Sequence, residues 1–261
     1  MNPKFETLAS TLAEAWRTGG TVPLPAAGEG PASRTEAYEI QDRMAELIGG
    51  KVVGWKVGAT VRAVQVFEGH DGPLPGRIFA DRCFDSPARV PAGLVRAAKI
   101  EAEFAFRLRS DLTSEASARD LDDLASRLSF HPAIELAGSR YAPGTGHRGG
   151  NTFDGIADNG SSGAAILGAA VDDWRALPFA TMEIDARLDD SPPIQAYSGA
   201  YRRNPLEIVS ETFTELLRRK VALPKGTCLL TGSLTLPTII RPGQTLVVKF
   251  ASLPSISLTL V

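Results

Sequence analysis

The sequence predicts an α+β chain in which a helical N-terminal segment precedes a mostly β body. Three observations lead there. Apolar side chains recur with a helical period in the first 50 residues. From residue 51 the period shortens, and β-like runs alternate with glycine and proline turns. No strand–helix–strand alternation, GxGxxG run or P-loop is present, which argues against a dinucleotide fold.

The first helix is set by Phe5, Leu8, Leu12 and Ala15 on one face and is closed by Gly19-Gly20. Residues 23–31 (PLPAAGEGP) form a loop. Ser33-Arg-Thr-Glu36 has the pattern of a capping box and opens a second helix, with Ala37, Ile40, Met44 and Leu47 inward and Gly49-Gly50 as its stop. The run KVVGWKVGAT begins the β part. Residues 113–128 are expected to form one helix with an acidic face. Asn204-Pro205 starts another, with Leu206, Val209, Phe213, Leu216 and Leu217 inward, because proline fits the first helical position after a capping asparagine. The runs TCLLTG, QTLVVKF and ISLTLV return to strands. The Gly/Pro-rich stretch 69–92 marks a seam, dividing the chain into a helical and small α/β segment, 1–80, and a β domain, 81–261.

A chain of 261 residues holds one large domain, or one with a small annex. A formal net charge of −2 gives no electrostatic case for nucleic acid. No apolar run is long enough to span a membrane, and MNPKFETLAS lacks the apolar core of a signal peptide, so a cytoplasmic setting is expected. Two cysteines, Cys83 and Cys228, form no disulfide or metal framework. Their apolar neighbours (IFADRCF and TCLL) suit core filling, and no GxSxG elbow supports a nucleophilic serine.

The run 101–108 (EAEFAFRL) carries the strongest chemical signal. Side chains alternate along a strand, so Ala102, Phe104, Phe106 and Leu108 form a core face. Glu101 and Glu103 project from the other face, roughly 6.5–7 Å apart, a gap that a hard cation can bridge. In HPAIELA, Glu135 opposes Ile134 and Leu136; an acid in so apolar a run needs a partner or a metal. Spacing alone leaves the alternative open, since MEIDARL (182–188) shows the same alternation with a face best explained by solvation.

The segments taken in order resemble the fumarylacetoacetate hydrolase superfamily, in its 2-keto-4-pentenoate hydratase and 4-oxalocrotonate decarboxylase branch. The matching stretches are AYEIQD (37–42), VVGWKVGAT (52–60), GRIFAD (76–81), IEAEFAFRL (100–108), HPAIELAGSR (131–140) and ADNGSSG (157–163). The helix from residue 205 and the runs LLTGSLTLP and PGQTLVVKF complete the match. The resemblance implies a twisted mixed β-roll or sandwich with flanking helices, and a homo-oligomer. It places a metal triad on Glu101, Glu103 and Glu135, the lysine of a GxKxG motif on Lys56, and pocket-lining positions on Asp158, Asn159 and Ser161. It further implies a lyase acting on a short 2-oxo acid from aromatic meta-cleavage.

Three carboxylates without histidine or thiolate suit Mg²⁺ or Mn²⁺. Lys56 can add positive charge at a substrate carboxylate or enolate oxygen. In one respect the chain departs from the family pattern. Hydratases of this branch carry an acid two positions before the glycine of the GRIF-like segment, and here that position is Leu74. His70 and Asp71, or Glu68, precede it and are the groups expected to substitute. Decarboxylation asks less of the missing acid. Acylpyruvate C–C hydrolysis is the other enzymatic alternative, but it commonly uses a His-Glu pair, and His70, His131 and His147 form none. A non-catalytic binding protein on the same fold is the remaining alternative. Arg202 and Arg203 serve equally well as surface charges or as binders of a substrate tail.

Overall fold

The helical signals at the N-terminus become two packed helices in the computed structural model, which describes residues 3–68, 72–142 and 152–261. Helix α1 is Pro3–Thr18 and α2 is Arg34–Ile48. Ser33 caps α2 by accepting from the Glu36 amide at 3.2 Å, and Gly49 closes it at φ 73°. The reciprocal half of the capping box shifts by one residue: Glu36 accepts from the Ala32 amide, not from that of Ser33.

The strands follow as β1 (Val52–Gly58), β2 (Leu74–Phe79), β3 (Cys83–Asp85), β4 (Ala88–Val90), β5 (Lys99–Leu108), β6 (Leu128–Ala137), β7 (Ser162–Leu167) and β8 (Ile184–Leu188). The last four are β9 (Cys228–Ser233), β10 (Thr238–Ile239), β11 (Thr245–Phe250) and β12 (Ile256–Leu260). Helices α3 (Arg62–Glu68), α4 (Glu115–Arg119), α5 (Leu121–Ser126), α6 (Thr152–Ala157) and α7 (Pro205–Arg218) connect them.

The single helix expected over 113–128 is instead the pair α4 and α5. Asp120 breaks it: its carboxylate accepts from the amides of Asp122 and Asp123, so the backbone caps a new helix there. Leu128 already opens β6. Helix α7 begins as expected, with Asn204 accepting from the Leu206 amide and Val209, Phe213 and Leu216 buried.

The larger sheet runs β2-β1-β9-β5-β6-β7-β3, with β10 on β5; the smaller runs β4-β12-β11-β8. Both mix parallel and antiparallel pairs, such as parallel β1–β9 and β12–β4 beside antiparallel β5–β6. The even face of β5 packs toward the smaller sheet. There Phe104 meets Phe130, Phe179 and Phe250 within one core that also holds Ile184, Val248 and Leu258. The odd face turns into the curl of the larger sheet. Ile78 of β2 meets Ala165 and Leu167 of β7 there, beside Ala105, Ala133, Cys228 and Leu230. This is the expected twisted roll with flanking helices. The stretch 69–92, expected as a seam, carries β2, β3 and β4. Strands β1 and β2 hydrogen-bond into the sheet that holds β5, β6 and β9, so segments 1–80 and 81–261 share it.

Candidate metal centre

The centre is built where three strands present polar side chains to the inside of the curl. Glu101 and Glu103 come from β5, and Glu135 on β6 pairs directly opposite Glu101. Lys56 on β1 lies opposite Leu230 of β9 and Gly76 of β2. Glu101, Glu103 and Glu135 each bring a carboxylate oxygen within 4.8 Å of the others. The wet strand face left open by spacing is thereby excluded for Glu103 and Glu135, which are 0% and 2% exposed. Lys56 is 6% exposed, with Nζ 3.2 Å from Glu135 Oε1.

Burial brings these charges onto one another. One Glu103 oxygen, Oε2, accepts from the Gly232 amide at 2.8 Å. The other, Oε1, is buried with no hydrogen-bond partner among the described residues. Burial, then repulsion from Glu135 and Glu101, holds the Glu103 carboxyl well above the ordinary range. Burial and Glu135 likewise push Glu101 up to about 7, against the pull of Lys56 and a hydrogen bond from Ser233. Burial pushes Lys56 down, but Glu135, Glu101 and Glu103 together outweigh it, so its ammonium is held more firmly than usual. Three carboxylates facing one ammonium leave excess negative charge, and one oxygen lacks a donor. An all-oxygen set of that kind fits a hard divalent cation.

Gly232 has a structural reason to be glycine. Its φ is 99°, and a Cβ there would lie 3.0 Å from Thr60 Oγ1. It lets the β9 backbone present an amide to Glu103.

The carboxylates open into a cavity of about 490 Å³. Its walls include Gly58 and Leu74 on one side and Ser139 and Ser161 on another. Exposed Arg96 and Lys99 also line it, as do Tyr197 and Tyr201, stacked at 5.7 Å.

Of the predicted pocket positions, Ser161 lines this cavity. Asp158 and Asn159 do not, and the expectation for them is corrected. Asp158 is fully buried, pairs with Arg140, and accepts from the Arg140 amide at 2.9 Å and Ser139 Oγ at 2.8 Å. Asn159 clamps β2, accepting from the Arg77 amide at 2.7 Å and donating to the Arg77 carbonyl at 3.0 Å. Both hold the wall in place. His70, Asp71 and His147 lie outside the described residues, and Glu68 ends α3.

Leu74 lines the cavity, with its backbone opposite Gly58. His131 is turned away from the centre: Nδ1 donates to the Gly168 carbonyl at 2.9 Å and Nε2 meets Ser129 Oγ at 3.1 Å. Neither arginine lines the cavity. Arg202 is buried over the Phe104 ring, and Arg203 pairs with Glu211.

Sequence reasoning missed Lys99, Gly232, Tyr197 and Tyr201. Strand alternation would have found Lys99, which shares the face of Glu101 and Glu103.

No family profile matches the chain. Among curated proteins, a 2-keto-4-pentenoate hydratase from Burkholderia vietnamiensis strain G4 is 29% identical over 258 residues, covering 97% of this chain and 96% of the relative. Among solved structures, 4-oxalocrotonate decarboxylase from Pseudomonas putida G7, complexed with magnesium and adipate, superposes with a TM-score of 0.86 at 22% identity, covering 100% and 98% of the two chains. Over nearly its whole length the chain is similar to the hydratase, and it shares the fold of the decarboxylase. A more distant member of the fumarylacetoacetate hydrolase family, from Yersinia pestis CO92, shares the fold with a TM-score of 0.59 at 12% identity, over 79% of this chain and 92% of its own. The chain thus spans nearly the whole length of the similar hydratase from B. vietnamiensis.

Proposed function

We propose that the protein is a divalent-metal-dependent lyase whose reaction is hydration of 2-hydroxypenta-2,4-dienoate or a similar short 2-oxo acid. The observation that carries this is the convergence of Glu101, Glu103 and Glu135 beside Lys56, with a buried carboxylate oxygen left without a donor. The names of the relatives agree: besides the B. vietnamiensis protein, a 2-hydroxyhexa-2,4-dienoate hydratase from Comamonas testosteroni is 28% identical over 242 residues, covering 88% of this chain and 87% of the relative. Mg²⁺ or Mn²⁺ as the ion, a homo-oligomeric assembly and a cytoplasmic setting belong to the same proposal. Among the described residues, no helix is long and apolar enough to cross a membrane.

Glu101, Glu103 and Glu135 would hold the ion, which when bound supplies Lewis-acid polarisation of a 2-oxo group. Lys56 keeps its proton beside Glu135 and sets a fixed positive charge at the substrate carboxylate or 2-oxo oxygen. The Gly232 amide fixes the Glu103 carboxylate. Ser161, in the cavity wall, can donate to substrate oxygens. Hydration adds a hydroxyl at C4 and a proton at the far end of the diene, so a side chain must take a proton from water. Leu74 has no atom for this. We assign the task to His70 or Asp71, which just precede Gly72 in the chain.

Leu74 also favours a second reaction, decarboxylation of a 4-oxalocrotonate-like 2-oxo acid, which needs no activated water. Loss of the ultraviolet absorbance of 2-hydroxypenta-2,4-dienoate, with Mg²⁺ and then with excess EDTA, followed by NMR of the product, separates the two. Metal-dependent formation of a 4-hydroxy-2-oxo acid supports hydration. Ketonisation alone, or no change, refutes hydration and leaves decarboxylation to be assayed.

A further inference from the structure

The chain has two cysteines, distant in sequence, and the fold brings them together. Cys83 is on β3 at one edge of the larger sheet and Cys228 is on β9, near the other. Curling of the sheet packs both against the same inner cluster, with Ala105, Ala133 and Leu230. Each thiol is close enough to the other to bias its titration. Gly54 of β1 pairs with Cys228, and a Cβ on it would sit 2.2 Å from Cys228 Sγ, so the bare glycine makes room for the sulfur.

The two thiols are not equivalent. Cys228 is buried and Cys83 is half-buried. Arg107 pairs directly with Cys228 across β5 and β9, and its Nε is buried without a hydrogen-bond partner among the described residues. The neighbouring Cys228 and the field of Arg107 bring the Cys83 thiol below its ordinary range, against burial and Asp85. The neighbouring Cys83 and burial push Cys228 well above it. A half-exposed, acidic thiol packed in one cluster with a buried, less acidic one has the arrangement of an attacking and a resolving cysteine. The pair is separate from the metal centre: Arg107 lies about 13 Å along β5 from Glu103, beyond Ala105.

We propose that Cys83 and Cys228 form a peroxide-reactive dithiol that closes reversibly to a disulfide. The Cys83 thiolate attacks one oxygen of hydrogen peroxide, the O–O bond breaks, and the departing hydroxide takes a proton to leave as water. Cys83 is then a sulfenic acid. The Cys228 thiol gives up its proton and attacks Cys83 Sγ, and the sulfenic hydroxyl leaves with that proton as a second water. Two thiols and one peroxide become one disulfide and two waters, and a dithiol reductant reverses the change.

The test treats the fully reduced protein with an equivalent of hydrogen peroxide, blocks residual thiols, and maps peptides without reduction. The expected result is a Cys83–Cys228 cross-linked peptide, loss of both titratable thiols, and recovery of both with dithiothreitol. In Cys228→Ser, Cys83 should stop at a sulfenic acid captured by dimedone. In Cys83→Ser, Cys228 should stay a thiol. Wild-type thiols that survive peroxide, or a Cys83 sulfinic acid formed without any disulfide, would overturn the proposal, and the wild-type map decides even if a variant folds poorly.

Discussion

Replacing Glu101 with Gln should stabilise the metal-free protein while abolishing its response to metal. Glu101 is pushed from 4.5 up to about 7 by burial and by Glu135. Keeping such a carboxyl ionised in the folded state costs about 3 kcal/mol. Because Glu101 is partly open to the cavity, about 2 kcal/mol is the working figure. The folded state holds its proton more tightly than the unfolded chain. Stability is therefore full below pH 4.5 and is lost as pH rises through about 7. Gln keeps the shape without the charge, so its gain should be near zero at pH 4.5 and reach about 2 kcal/mol at pH 8. Urea unfolding with excess EDTA at both pH values measures this. Addition of Mg²⁺ at pH 8 should then raise the wild-type midpoint and leave the variant unmoved. A variant less stable than wild type at pH 8 without metal, or one with the wild-type Mg²⁺ response, refutes the reasoning.

Lys56→Met should lower kcat by about 100-fold while the protein still folds and binds Mg²⁺, because it removes the fixed charge beside the substrate and no metal ligand; an unchanged rate would return Lys56 to a structural role. Gly232→Ala should cost about 1–2 kcal/mol and weaken Mg²⁺ binding, since φ of 99° and the Thr60 contact penalise a Cβ and move the amide from Glu103; thermal melts and metal titration check both. Burial pushes His131 below its ordinary range, so its contribution to stability is full above pH 6.5 and is lost as pH falls below it; His131→Asn should flatten the acid limb of a pH–stability curve.

The sequence carried the centre further than it carried the fold's connections. Alternation along 101–108 placed Phe104 and Phe106 in the core and both glutamates on the opposite face, because strand geometry is local. Convergence of Glu135 and Lys56 is not local: it depends on the β5–β6 register and on parallel pairing of β1 with β9, which no short run encodes. Asp158 and Asn159 misled for the same reason. A polar Asp-Asn-Gly run has the same composition whether it faces a ligand or clamps Arg140 and Arg77. The break at Asp120 was legible, since Asp followed by Leu-Asp-Asp has the look of a cap, but the acidic periodicity ran across it. The meeting of Cys83 and Cys228 had no sequence signal at all, because only the closing curl of the sheet creates it.

The most direct test of the metal centre is anomalous diffraction from crystals grown with Mn²⁺. The account predicts one strong peak per chain, between the carboxylates of Glu101, Glu103 and Glu135, that disappears in Glu103→Gln. Absence of a peak there in the wild-type protein, or an undiminished peak in the variant, would contradict it.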